Sequence, residues 1–424
     1  QARFDEENNL YWANKLREAG AKVSFGMEKL KVHSKLIQIL REGSNGDYLV
    51  SYIGTGNFHE KTANIYEDLG LLTVDPKIGE EVNRIFNILD GFTNDYRFET
   101  LFVSPFTTRS VFDELIENEI AGISFPNEPK NLYDPLSYFL ALGGKRMRPL
   151  LTILSGELFG EKKENLMPAA IAIELFHNFS LIHDDIMDAA PLRRGKATVH
   201  EKWNSNSAIL SGDVLLVKAY QLLSNYDAHK LSALFLVFNK TAIEVCEGQQ
   251  LDMDFENRLE VSEQEYLTMI QLKTAVLLAC ALQFGAIISN ASEENRKNIY
   301  DFGLHLGLAF QIQDDILDLY GDPSKVGKQV GGDVICNKKT LLSIVARSRA
   351  TDKERKELDL LLNEVNIELK VLKTRSIYDN LNVKAFCEET MKKHNDLAFS
   401  AFAKIKTPNS KENIKALCNF LFFR

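Results

Sequence analysis

Two short acidic clusters carry the strongest chemical signal in the chain: Asp184-Asp185-Ile186-Met187-Asp188 and Asp314-Asp315-Ile316-Leu317-Asp318. Both follow one DDxxD spacing. On a helix, positions i and i+4 are neighbours, so Asp184 and Asp188 share a face with Cβ atoms about 5–6 Å apart, as do Asp314 and Asp318. Carboxylates so placed repel one another unless a cation sits between them. A hard ion such as Mg²⁺ suits that place, because it takes oxygen ligands and commonly shares them with substrate phosphates. One such cluster alone reads as a solvated helix end. Here each is preceded by apolar residues (Phe179, Leu181, Ile182; Phe310, Ile312) and followed by cations (Arg193, Arg194; Lys325, Lys328, Lys338, Lys339). Unpaired charge in apolar surroundings is costly. Acidic pairs interleaved with basic groups are what a metal-bridged diphosphate requires.

Long helices must position these clusters. Prolines nearly vanish after Pro149, and between Pro191 and Pro408 only Pro323 interrupts the helical periodicity, which predicts an antiparallel helical bundle. The first hundred residues read differently. β-like runs at 21–25, 30–40 and 48–53 are bounded by Gly26, by Gly43 and Gly46, and by Gly54 and Gly56. Helices are expected at 10–19 and 78–89, the second with Ile78, Val82, Phe86 and Leu89 on one face and Gly91 as its stop. The expected fold is mainly α, with a small α/β part at the N-terminus. Pro105, Pro126, Pro129 and Pro135 around a short helical run at 110–120 mark the junction. Two domains follow, 1–110 and 111–424, with the boundary open between 106 and 135.

A chain of 424 residues is long enough for two or three units with substantial cores. The net charge of −9 argues against nucleic-acid binding through phosphate neutralisation, so an anionic substrate must be held by local basic clusters or by metal ions. Cys246, Cys280, Cys336, Cys387 and Cys418 are odd in number and form no CxxC pair. That fits a reducing cytoplasm and no structural zinc. No apolar run of the about 18 or more residues that a membrane helix needs is expected, and no charged-then-apolar leader opens the sequence. The start at Gln1 rather than Met points to a truncated N-terminus.

At this point about three quarters of the chain resembles the polyprenyl (isoprenyl) diphosphate synthases. The motifs run in order: GGKRMRP (143–149), HNFSLIHDDIMD (177–188), PLRRGKATVH (191–200), EGQQLDMDFE (247–256), Lys273-Thr274, FQIQDDILDLYGD (310–322), GKQVGGD (327–333) and Asn337-Lys338. The resemblance implies an all-helical isoprenoid synthase bundle, Mg²⁺ as cofactor, and condensation of isopentenyl diphosphate with dimethylallyl, geranyl or farnesyl diphosphate. By the same resemblance Asp184, Asp188 and Asp314 ligate Mg²⁺, with Asp185, Asp318 and Asp252 in support. Lys145, Arg148, His177 and Arg194 resemble the isopentenyl diphosphate pocket. Arg193, Lys273, Lys328 and Lys338 resemble the allylic diphosphate pocket, and Gln311 and Thr274 the lining of the reacting chain. A homodimer is implied as well. Helical geometry independently brings His177 within about 20° of Asp184, seven residues on. In GGKRMRP, glycines before a helix start permit close backbone approach to an anion.

Residues 1–110 resemble part of a polyphosphate kinase, from its phospholipase-D-like catalytic half. The resemblance rests on ARFDEENNLYWANKLREAGAKV (2–23), LKVHSKL (30–36) and YIGTGNFHEKTANIYEDLGLLTVDPKIGEEVNRIF (52–86). It implies a phosphorylated His33, with Lys35 on the same strand face and Arg3 assisting. That family builds its site from two such modules and one is present here. The implied reading is a severed remnant without kinase activity, joined to a complete prenyltransferase.

Three other readings stay open: a fusion that retains kinase activity, a terpene cyclase, and a non-catalytic subunit of a heteromeric prenyl synthase. A cyclase has no use for Lys145 and Arg148, and a non-catalytic subunit tends to lose aspartates that are present here. For product length, Phe179 stands five residues before Asp184 and Ser180 four before. By resemblance, an aromatic at the fifth position with an uninterrupted DDxxD implies C20 as main product and C15 as the lesser one. Helix geometry alone puts Phe179 about 140° around from Asp184.

Overall fold

The computed structural model describes residues 6–24, 34–44, 46–56, 58, 68–93, 95, 97–101, 103, 106–321 and 331–422. Arg3, His33, Lys325 and Lys328, named above on sequence grounds, lie outside the described residues. The chain separates into two compact units, Gln1–Ser110 and Val111–Arg424.

In the first unit, helix α1 (Glu6–Glu18) precedes a three-stranded antiparallel meander, β1 (Lys35–Arg41), β2 (Tyr48–Gly54) and β3 (Gly70–Thr73), followed by α2 (Pro76–Leu89). In register, Ile37 faces Tyr52, which faces Leu72. The run at 21–24 is not a strand. Asp75 caps α2, its carboxylate accepting from the Lys77 and Ile78 amides. The buried face of α2 is Gly79, Glu81, Val82, Ile85 and Ile88, with Phe86 exposed, so the helix is rotated from the face read in the sequence. Two contacts set that rotation. A side chain at Gly79 would press on Leu49, and the buried Glu81 carboxylate accepts from the Glu99, Thr100 and Leu101 amides. Burial raises the Glu81 pKa, but those three hydrogen bonds outweigh it and the net shift is down.

The second unit is a helical bundle. Its helices are α3 (Phe106–Ala121), α4 (Lys130–Leu140), α5 (Met147–Leu158), α6 (Lys163–Met187), α7 (Ser205–Leu223), α8 (Ala228–Glu256), α9 (Glu263–Ile270), α10 (Val276–Ile288) and α11 (Glu293–Tyr320). α12 (Leu341–Arg349), α13 (Asp352–Leu362), α14 (Ile367–Asn380), α15 (Val383–Lys404) and α16 (Glu412–Phe422) complete it. Pro135 lies inside α4 rather than in the junction: the amide it lacks would serve the Asn131 carbonyl in the first turn, and its buried ring offsets that loss.

Two core clusters hold the bundle. One spans α5, α6 and α10; the other gathers Phe255, Tyr266, Ile312, Ile316 and Leu342 beneath the second acidic cluster. Glycines set the closest crossings: a Cβ on Gly285 would meet the Thr152 carbonyl oxygen at 2.4 Å, and one on Gly307 the Cα of Ala275 at 2.6 Å. The expectation of no span-length apolar stretch needs a correction. By length and composition α6 and the stretch Glu263–Ile288 are each apolar enough to cross a membrane. Most of each apolar window, 61% and 72%, is buried in the bundle instead, which is why core helices carry that hydropathy.

Candidate active site

Both acidic clusters stand at the C-terminal ends of long helices. α6 ends at Met187 with Asp188 as its C-cap, and α11 runs through Asp314, Asp315 and Asp318 to Tyr320. A helix C-terminus carries partial negative charge, so carboxylates there need cations from elsewhere. Three are present around the first cluster. Arg193 Nε donates to both oxygens of buried Asp185 at 2.8 Å, and its Nη2 lies 3.6 Å from Asp184. Lys273 Nζ donates to Asp252 at 2.6 Å and lies 3.4 Å from Asp184 Oδ1. Lys338 Nζ lies 3.8 Å from Asp188.

Short local structures aim these cations. Arg193 pairs with Lys196 in a two-strand hairpin, Leu192–Arg193 with Lys196–Ala197, turned by Arg194 and Gly195, both at positive φ. Lys273 and Thr274 lie in a π-helical segment, Gln271–Ala275, inserted between α9 and α10. Gly248 of the EGQQLDMD motif makes room for it: a Cβ there would stand 2.2 Å from the Lys273 amide nitrogen.

The charge balance is visible in the pKa directions. Burial would lower Lys273, but Asp184 and Asp252 outweigh it and the net shift is up. Arg193 likewise ends raised, by Asp185. Asp188 is raised by burial and then by Asp184 beside it. Asp184 Oδ1 is buried and makes no hydrogen bond despite the ammonium 3.4 Å away. An orphaned carboxylate oxygen beside a second carboxylate whose charged form is disfavoured is a fit for a hard divalent ion. Among the described residues no three His, Cys, Asp or Glu side chains converge as a ready-made metal cage. Asp184 and Asp188 offer carboxylate oxygens, a donor type that suits an ion completing its shell with phosphate oxygens and water, as Mg²⁺ does.

A second basic group lies nearby. Arg148 Nη1 is 3.1 Å from His177 Nε2. Arginine has no acceptor, so Nε2 must accept and the imidazole proton sits on Nδ1. His177 is held neutral: burial pushes its pKa well below 6.5, and Arg148, Arg194, Arg193 and Arg146 add to that. Burial lowers Arg148 to about 10, still charged at neutral pH. Its Nε is buried with no hydrogen-bond partner. The Arg194 guanidinium lies against Gly144, where a Cβ would be 3.0 Å from Nη2, while Lys145 is exposed.

Arg146, between them in sequence, was not singled out above. Its side chain is fully buried, φ is 43°, and it bonds Glu117 at 2.7 Å, Glu174 at 2.6 Å and the Leu140 carbonyl at 3.1 Å. It anchors the glycine loop so that Arg148 reaches His177.

Arg148, His177, Phe179, Ser180, Asp184, Lys273 and Thr274 all line one cavity of about 340 Å³. Phe179 thus reaches the same space as Asp184 despite the angle between them. Its ring packs edge-on against His183 and at a tilt against Phe176. Gln249, Gln250 and Met253 of the EGQQLDMDFE motif also line it, whereas Val245 and Leu277 escaped the sequence reading because nothing in their spacing marks them. Asp314 is half-buried, and Asp318 accepts from the Asp333 amide at 3.0 Å, fixing the chain beyond 330. Gln311 accepts from Thr274 at 3.2 Å and donates to Asp315 at 3.0 Å. Burial raises the Asp315 carboxyl to about 7, against the hydrogen bonds from Tyr266 and Gln311.

One cavity is lined by Asp184 and Lys273 on one part of its wall and by the half-buried Arg148 with His177 on another, an arrangement able to hold two anionic groups at once. The sequence matches the polyprenyl synthetase family over residues 129–380, and the chain belongs to that family. Residues 1–95 match polyphosphate kinase C-terminal domain 1. The geranylgeranyl diphosphate synthase of Saccharolobus solfataricus is 38% identical over 321 residues, 74% of this chain and 97% of the relative. The geranylfarnesyl diphosphate synthase of Natronomonas pharaonis is 39% identical over 258 residues, 56% of this chain and 76% of the relative. Among solved structures, geranylgeranyl pyrophosphate synthetase from Pyrococcus horikoshii superposes with a TM-score of 0.71 at 34% identity, over 75% of this chain and 98% of that one. The all-helical fold expected from the motifs is thus the family's fold.

Proposed function

We propose that residues 111–424 carry out Mg²⁺-dependent prenyl transfer, joining isopentenyl diphosphate to an allylic diphosphate and releasing diphosphate. The observation that carries this reading is the shared cavity, with Asp184 and Lys273 on one part of its wall and the Arg148–His177 pair on another. The buried Arg148 Nε, without a partner, awaits an oxygen. In this reading Lys145, Arg148, His177 and Arg194 hold isopentenyl diphosphate, and Arg193, Lys273, Lys328 and Lys338 hold the allylic diphosphate. Asp184, Asp188 and Asp314 are the metal ligands. Asp185, by gripping Arg193, and Asp252, by gripping Lys273, orient two of the cations.

Bound Mg²⁺ supplies charge neutralisation at the departing diphosphate oxygens. Arg193 and Lys273 add fixed positive charge aimed at the same leaving group. The allylic carbon–oxygen bond breaks with its electron pair on the diphosphate. The alkene of isopentenyl diphosphate then bonds to the allylic carbon, and a proton is lost to the released diphosphate. The apolar wall keeps water from the cation, and the Thr274 hydroxyl, held from behind by Gln311, offers it a dipole.

Chain elongation is favoured over cyclisation by the Arg148–His177 pair, which a cyclase would not need, and over a non-catalytic subunit by the intact acidic clusters. The five free thiols support a cytoplasmic setting. Exposed Ile209, Leu210 and Val217 on α7, with Leu236 and Ile243 on α8, support pairing with a second copy. The N-terminal unit is read as a remnant without polyphosphate synthesis.

For length, we favour C20 as the main product with C15 as the lesser, because Phe179 lines the cavity. Incubating the chain with labelled isopentenyl diphosphate and each allylic starter, then sizing the products, tests the reading. Elongation from dimethylallyl or farnesyl diphosphate supports it, and cyclic hydrocarbons or no incorporation would reject it. Phe179→Ala should move the products beyond C20; an unchanged distribution would place the length limit elsewhere.

A further inference from the structure

A line of hydrogen bonds runs from the core to the cavity wall. The Tyr266 hydroxyl of α9 donates to Asp315 Oδ2. Asp315 Oδ1 accepts from Gln311 Nε2 at 3.0 Å, one turn earlier on α11. Gln311 Oε1 accepts from Thr274 Oγ1 at 3.2 Å, and Thr274 lines the cavity. Tyr266 is 1% exposed and Asp315 5%, so water does not compete for these groups.

The chain has a direction, and donor arithmetic sets it. Both Asp315 oxygens are taken up as acceptors, one from the Tyr266 hydroxyl and one from the Gln311 amide nitrogen, so the Gln311 oxygen faces Thr274. The Thr274 proton is then spent on Gln311, which leaves the hydroxyl lone pairs for the cavity. Reversing the chain would turn the threonine proton into the cavity, toward the carbon where positive charge develops.

We propose that Tyr266 and Asp315 are positioning residues that fix the polarity of this chain, so that Thr274 presents oxygen lone pairs rather than a proton to the allylic cation. The proposal rests on the prenyl-transfer reading above and assigns Asp315 a part other than metal binding. Tyr266 pins one carboxylate oxygen and thereby aims the other at Gln311. The chain's members come from three elements, α9, the π-helical segment and α11, so the polarity is built into the packing of the second core cluster.

Asp315→Asn is the sharp test, since asparagine can accept from Tyr266 and donate to Gln311, which forces the glutamine to flip. Two ligands are compared at about pH 8 with Mg²⁺ and inorganic diphosphate present: an ammonium analogue of the allylic cation and a neutral, unreactive thio-linked allylic diphosphate. Asp315→Asn should weaken the ammonium analogue by about tenfold or more, the scale of one misdirected dipole in a dry site, and change the neutral one by less than about threefold. In a Thr274→Val background the same substitution should have little further effect, because the chain's terminus is already gone. Equal weakening of both ligands, or full additivity with Thr274→Val, would overturn the proposal. If Asp315→Asn does not fold, the ratio is read on Tyr266→Phe, where a smaller loss confined to the ammonium analogue is expected and an unchanged ratio counts against. A wild-type chain that binds neither ligand and makes no product would instead sink the prenyl-transfer reading itself.

Discussion

Arg146 and Arg148 stand two residues apart and illustrate how little sequence distance says about role. Arg146 is fully enclosed by Glu117, Glu174 and a carbonyl, so its donors are spent on the fold. Arg148 keeps one buried donor unspent and hydrogen-bonds a neutral histidine. If that donor waits for isopentenyl diphosphate, Arg148→Ala should raise the KM for that substrate by about tenfold or more, while the KM for the allylic substrate changes far less. Steady-state kinetics with each substrate varied in turn checks this, and equal effects would mean the pockets are misassigned. The basic character of GGKRMRP was legible in the sequence. The division of labour within it was not, because the partners of Arg146 lie 29 and 28 positions away and only the fold brings them close.

At the level of elements, the bundle positions its cations through two local departures from regular helix. The Arg194-Gly195 turn directs Arg193 back onto Asp185, and the π-helical segment presents Lys273 and Thr274 together. That segment is supported by backbone contact with Gly248. Gly248→Ala must push a methyl group into the Lys273 amide, which should cost about 1–3 kcal/mol of stability by overpacking and lower turnover at saturating substrate. A denaturation midpoint and kcat measured on the same preparation check both, and an unchanged kcat would show that the crossing does not set the Lys273 position. The helices themselves were readable from periodicity and the near absence of proline. The π insertion was not, since five residues of ordinary helix formers carry no mark of it. The rotation of α2 was missed for a similar reason: Glu81 looks like a surface residue until three amides from 99–101 enclose it.

For the whole molecule, every described residue of the proposed site belongs to the unit Val111–Arg424, and the family match lies within it. Removing residues 1–105, which leaves α3 entire, should keep prenyl-transfer kcat within about twofold of the full chain; a loss of orders of magnitude in a truncated chain that still unfolds cooperatively would show that the first unit takes part. The two-part organisation was legible in the change of pattern near residue 110, whereas Pro135 misled because a proline in a helix's first turns looks like a junction. The central claim is that both acidic clusters serve one metal-dependent transfer. Its most direct measurement is the initial rate of labelled isopentenyl diphosphate incorporation by wild type, Asp184→Ala and Asp314→Ala, each with Mg²⁺ and with chelator. The account predicts a wild-type rate abolished by chelation and reduced by about 100-fold or more in each variant, with thermal midpoints near that of wild type. Near-normal rates in either variant at saturating Mg²⁺, or a wild-type rate indifferent to chelation, would contradict it.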